Sequence, residues 1–186
     1  MLIASFAKPV GMFDNFFNKA VAWVTSGDFC HSEFIFTYTK EEFENIMKDV
    51  EGHTFLKERF NHYVENEKIN ICFYVIWGDR VSYRLLKHVH NNPFYRMPND
   101  TQFKTVSINT TNQQEEKMLS FLLSQCGKSY DYNAALAYWI PWRGSMPEYS
   151  KYFCSQLMLT TLHQIQMFRD YNPASTTPNE LYKILT

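Results

Sequence analysis

The chain has 186 residues, 45% of them hydrophobic, 17% aromatic and 20% charged, with a formal net charge of −1. That is enough apolar material for one substantial core, and a single domain over residues 1–186 is the simplest partition. Near-neutrality, with basic residues scattered along the chain, lacks the cationic stripe of a nucleic-acid binder, so no nucleic-acid partner is expected.

Residues 1–7, MLIASFA, are apolar but too short for a signal peptide, and they lack a basic start and a clear cleavage site. A short strand is predicted over residues 2–7. No uncharged stretch of about 20 residues is apolar enough to span a bilayer, so no transmembrane segment is expected. The cysteines at positions 30, 72, 126 and 154 show no disulfide-scaffold or CxxC spacing, which fits free thiols in a reducing compartment. An intracellular, cytoplasmic protein is expected.

From Met12 to Thr25, the residues Phe13, Phe16, Phe17, Ala20, Val21 and Val24 recur at helical spacing. Core packing is the expected use of that face, with peripheral membrane contact as the alternative. Ser26-Gly27-Asp28 breaks the helix, and Phe29 to Tyr38 reads as a strand rich in aromatic and β-branched residues. Lys40 to Lys68 is highly charged with periodic Phe43, Ile46, Met47 and Val50, which predicts a surface helix and an excursion away from the core. Ile69 to Trp77, a Gly78-Asp79 turn and Arg80 to Leu86 predict a β-hairpin. A strand follows at Phe103 to Ile108, then a helix over Asn112 to Cys126 with Gly127 as its stop. A second strong helix is predicted from Cys154 to Phe168, ended by Tyr171-Asn172-Pro173, and Thr177 is the N-cap of a last short helix that has Pro178 in its first turn. The resulting fold class is α+β, a central antiparallel sheet flanked by helices.

Cys154 opens its predicted helix, where unpaired amides and the positive end of the dipole favour a thiolate and could hold a developing oxyanion. The alternative is a small buried apolar residue between Phe153 and Leu157. A nucleophile needs a base. His53 and His62 fall in the charged excursion, and His163 lies nine residues beyond Cys154 on the same helix. His88 and His90 could pair on a metal, but no third ligand is near in sequence, so neither a zinc site nor any other metal or cofactor is expected. His31 differs, because strand alternation places His31, Glu33 and Ile35 on one face.

WVTSGDFCHSEFIF, followed downstream by GKSYDYNAALAYWIP, YFCSQLM and TTPNELYKIL, resembles the circularly permuted branch of the NlpC/P60 superfamily of papain-like thiol hydrolases. Similar proteins include bacterial enzymes of the YiiX type, the lecithin:retinol acyltransferase group and versions encoded by large DNA viruses. The resemblance covers residues 10–38 and 127–185, and residues 39–68 fall outside it as an inserted helical segment. It implies a permuted papain-like fold, Cys154 as nucleophile and His31 as general base. The bacterial relatives carry an acidic residue on the strand after the histidine strand; here Ile71 to Ile76 has none until Asp79. Glu33, about 7 Å along the strand from His31 on the same face, is chosen as the orienting carboxylate, with Asp79, Tyr74 or a backbone carbonyl as alternatives.

The implied activity is a thiol hydrolase or acyltransferase working through a thioester on an amide, isopeptide or ester. A peptide, isopeptide or acyl-lipid substrate follows, and virion association if the source is viral. Tyr130 to Trp142 could line an apolar acyl cleft or belong to the core. The alternative from a different class is a catalytically inactive papain-like binding module or a virion structural protein.

Overall fold

The computed structural model describes residues 1–10, 15–48, 50, 54–61, 68–76, 78–86, 102–137 and 150–186. Five strands, β1 (Leu2–Ala7), β2 (His31–Tyr38), β3 (Ile69–Tyr74), β4 (Ser82–Leu86) and β5 (Phe103–Ile108), form one antiparallel sheet in the order β4-β3-β2-β1-β5. Helices α1 (Phe16–Val24), α2 (Lys40–Ile46), α3 (Thr54–Asn61), α4 (Asn112–Gln125), α5 (Tyr132–Ala137), α6 (Cys154–Gln164) and α7 (Pro178–Leu185) complete a mixed α+β architecture. A short parallel pair, β6 (Ser129–Tyr130) and β7 (Lys151–Tyr152), precedes α5 and α6.

The core follows from alternation along β2. Phe34, Phe36 and Tyr38 project to one face with Leu2, Ala4 and Phe6 of β1 and Ile71 and Phe73 of β3, and none of these is more than 2% exposed. Helix α6 lies on this face, and α4 packs against α6. Phe36 meets Phe73 edge-on with ring centroids 5.9 Å apart, a favoured aromatic geometry. At the end of β2, the Tyr38 hydroxyl donates to the buried Glu115 carboxylate of α4, which also accepts from the Thr110 hydroxyl at 2.8 Å. Every residue of β2 is buried, so the strand is covered on both faces.

Residues 40–46 and 54–61 are helical, but their apolar side chains do not lead away from the core. Phe43, Met47, Leu56 and Phe60 are at most 1% exposed and belong to the main apolar cluster. The Phe43 and Phe60 rings stack with centroids 3.7 Å apart. The high charge count concealed an apolar stripe of period three to four, because the charged side chains occupy the opposite face. The Thr39–Glu42 capping box starts α2 at the Tyr38 end of β2, about 23 Å along the strand from His31.

Other boundaries also move. The hairpin pairs as expected, but β3 stops at Tyr74 because the backbone of the hairpin tip bonds elsewhere: Val81 N–H donates to Lys128 O at 2.8 Å and Gly127 N–H to Val81 O at 2.8 Å. Helix α6 stops at Gln164 rather than Phe168, since Gln166 and Phe168 adopt φ of 64° and 57° and fold the chain back. Helix α1 starts after its N-cap Asn15. Its expected apolar face is partly buried: Phe17, Ala20, Val21 and Val24 are half-buried, with Val21 against Ala7 and Cys30, whereas Phe16 is 87% exposed and Trp23, off that face, 80% exposed. Met12, Phe13, His53, His62, Trp77, His88, His90, Tyr138, Trp139, Ile140 and Trp142 lie outside the described residues. Among the described residues, no helix is long and apolar enough to cross a membrane.

Candidate active site

Two chain segments far apart in sequence are bound together beside the start of β2. Asn179 of α7 accepts from Phe29 N–H through Oδ1 at 2.9 Å and donates through Nδ2 to Phe29 O at 3.0 Å and to Thr25 Oγ1 at 2.6 Å. This three-point clamp fixes the residues that lead into His31. Gly27 makes it possible, because a Cβ there would fall 2.2 Å from Asn179 Oδ1. Helix α7 is itself set by a Thr177–Glu180 capping box with Pro178 in the first turn, as its sequence predicts.

Cys154 is the first residue of α6 and 6% exposed. The neighbouring Ser155 hydroxyl donates to Thr176 O at 2.7 Å, tying the start of α6 to the segment that leads into α7. Amides in the first turn of a helix have no intrahelical acceptor, so the Cys154 end of α6 is a source of unengaged N–H groups.

His31 and Cys154 meet through a hydrogen bond between imidazole and thiol. His31 Nε2 lies 3.7 Å from Glu33 Oε2, within ion-pair range. The same carboxylate oxygen accepts from Arg84 Nη2 at 3.0 Å. Arg84 comes from β4, paired opposite Cys72, and its guanidinium lies 4.5 Å over the Tyr74 ring on its way to Glu33. The carboxylate beside the histidine is therefore Glu33. Asp79 sits exposed in the hairpin turn, where its Oδ1 accepts from Arg80 N–H at 2.8 Å, and Tyr74 supports Arg84.

The electrostatics set Cys154 apart from the other thiols. Burial raises its pKa, but the hydrogen bond and charge of His31, with the Ser32 amide and hydroxyl, outweigh that and hold the thiol below its ordinary 9.0. Burial lowers the His31 pKa, and its bonds and charge interactions with Cys154 and Glu33 push it the other way, up to about 9. Burial pushes Cys30 up to about 12, Cys126 up to about 11 and Cys72 well above 9.0. A thiolate and imidazolium side by side are the reactive form of a nucleophilic cysteine.

Two open spaces meet at Cys154. One is a wide cleft that His31 lines, and the other is a much narrower slot whose described walls do not include His31. Cys30 and Tyr130 border both. Among the described residues, no group of three or more His, Cys, Asp or Glu is placed to hold a metal ion.

No family model, curated protein or solved structure matches the chain.

Cys154, His31 and Glu33, singled out in the sequence, come together in space. Arg84, Ser32 and Asn179 did not stand out there. Arg84 had an indirect signal, since a carboxylate in a greasy strand needs a cation, but only the register of β4 shows which. Asn179 had none, because its partners lie 150 and 154 positions earlier in the chain.

Proposed function

We propose that this chain is a single-domain thiol hydrolase or acyltransferase of the circularly permuted papain-like, NlpC/P60-type class. The observation that carries the reading is the buried Cys154–His31 pair at the start of α6, with Glu33 against the far side of the imidazole. The thiolate attacks the carbonyl carbon of an amide, isopeptide or ester, and the carbonyl oxygen becomes an oxyanion beside the first-turn amides of α6. The His31 imidazolium gives its proton to the leaving amine or alkoxide as the bond to the carbonyl carbon breaks. A thioester on Cys154 remains. Neutral His31 then takes a proton from water or an acceptor alcohol or amine, which attacks the thioester and releases the acyl group. Glu33, held by Arg84, keeps the ring oriented and stabilises its positive form.

The test is acylation by an activated ester, read by mass spectrometry. Wild type is expected to gain the acyl mass on Cys154, Cys154→Ala to gain none, His31→Ala to react far more slowly and Glu33→Ala to lose part of the rate. Turnover of the same esters by Cys154→Ala would overturn the nucleophile. No adduct with any ester, amide or isopeptide would favour a binding module built on the same fold.

A further inference from the structure

The narrow slot beside Cys154 has a composition that selects for one kind of group. Val21 and Val24 of α1, Ala135 of α5, Phe153 and Pro178 supply apolar walls, and among the described residues no charged side chain lines it. Besides the Tyr130 hydroxyl and the Cys154 thiol itself, three side-chain polar atoms of the described residues border it, and each of these is already engaged in a hydrogen bond. Thr25 Oγ1 donates to Val21 O at 2.8 Å and accepts from Asn179; Thr177 Oγ1 accepts from Glu180 N–H at 3.1 Å; Cys30 Sγ donates to Ala7 O at 3.4 Å. A polar or charged ligand group entering the slot would give up water and gain little from these atoms, whereas an alkyl chain loses only water contacts it does not favour.

The chemistry assigns the two spaces. The leaving group must lie where His31 can protonate it, so it occupies the wide cleft, which His31, Asn15 and Asn18 line. The acyl chain then runs the other way from the carbonyl carbon.

We propose that the slot is the acyl subsite and takes an uncharged alkyl chain, so that the substrate is an ester, thioester or amide of an aliphatic carboxylic acid. This assignment rests on the thiol-hydrolase reading above. A peptidyl acyl group, with a polar amide next to its reacting carbonyl, fits these walls poorly.

The experiment uses alkyl methanethiosulfonates, which read the slot without requiring turnover. The Cys154 thiolate attacks the sulfenyl sulfur, a protein–alkyl disulfide forms, the bond to the sulfonyl sulfur breaks and methanesulfinate leaves with the electron pair. Each buried methylene is worth about a three- to fourfold gain. The butyl reagent is therefore expected to modify Cys154 roughly tenfold or more faster than the methyl reagent, relative to a small free thiol, and the anionic sulfonatoethyl reagent to be slower than either. Val21→Trp and Ala135→Leu, each narrowing the slot from a different helix, should bring the butyl-to-methyl ratio close to one. Retained ultraviolet absorbance of the thiolate confirms that the pair is intact in each. Fast modification of Cys154 with no chain-length preference, with the anionic reagent fastest, or with the preference unchanged in both variants overturns the acyl subsite and leaves the hydrolase reading standing. If Cys154 reacts no faster than Cys126, the hydrolase reading falls, and the subsite with it.

Discussion

Opposed effects of burial decide the chemistry at Cys154. Removing a lone thiolate from water is costly, and the three other cysteines, without an imidazole partner, are all pushed toward the neutral thiol. Only at Cys154 does a partner's charge outweigh that cost; Arg84 lowers the Cys72 thiol, but burial and Glu33 prevail there. At pH 7, iodoacetamide should therefore label Cys154 well ahead of Cys30, Cys72 and Cys126, as peptide mapping would show. In His31→Ala the largest offset to burial is lost, so the thiol should rise above 9.0 and labelling at pH 7 should fall by about tenfold or more. The sign at the alkaline end is also fixed. His31 must be protonated to serve the leaving group, and it deprotonates as pH rises through about 9, so acylation by poorly leaving esters should decline across that range. A rate that keeps climbing past pH 10 would show that the His31 proton is not used.

Glu33 and Arg84 belong to the same scale. Glu33 is 3% exposed and its partner guanidinium only partly so, and removing one member of a buried pair strands the other charge. Arg84→Met is expected to destabilise by up to about 3 kcal/mol in urea unfolding. The double variant Glu33→Gln with Arg84→Met should recover most of that stability and still show a lowered pH limit for His31. Recovery of both would mean the carboxylate does not act on the ring.

Among the elements, the segment that enters β2 depends most on a distant partner. Asn179→Ala removes the clamp on Phe29, at a cost of about 1–3 kcal/mol from the stranded amide and carbonyl. Gly27→Ala pushes on the same side chain. Both variants should slow Cys154 labelling by displacing His31, although neither residue touches the thiol; a loss of stability with unchanged labelling would confine the clamp to folding. Helices α2 and α3 make a different contribution. Phe43→Ala opens the stack with Phe60 and should cost about 3–5 kcal/mol by thermal or urea unfolding, leaving Cys154 reactivity in the remaining folded protein unchanged, since α2 starts at the far end of β2.

At the scale of the molecule, β2 joins these parts. One end carries His31 and the other ends in the Tyr38–Glu115 contact with α4, while its middle is the floor on which α6 lies. Loss of the sheet core should therefore abolish the reactive thiolate at the same step. The ultraviolet thiolate signal and far-ultraviolet circular dichroism are expected to share one midpoint in urea. A thiolate signal lost well before the sheet would show that the site opens locally.

What the sequence alone determined was local. Short apolar, aromatic and β-branched runs placed β1, β2 and β5, and helical periodicity with Thr177-Pro178 placed α4 and α7, because composition, side-chain period and capping act over a few residues. It also singled out Cys154 at a helix start and His31 with Glu33 on a strand. Only the tertiary structure decided that α2 and α3 pack into the core, that α1 leaves Phe16 and Trp23 exposed, and that Arg84 and Asn179 hold the site in place. Those outcomes depend on sheet register and on contacts across up to 154 residues, and a local pattern carries no information about which distant surface will cover it.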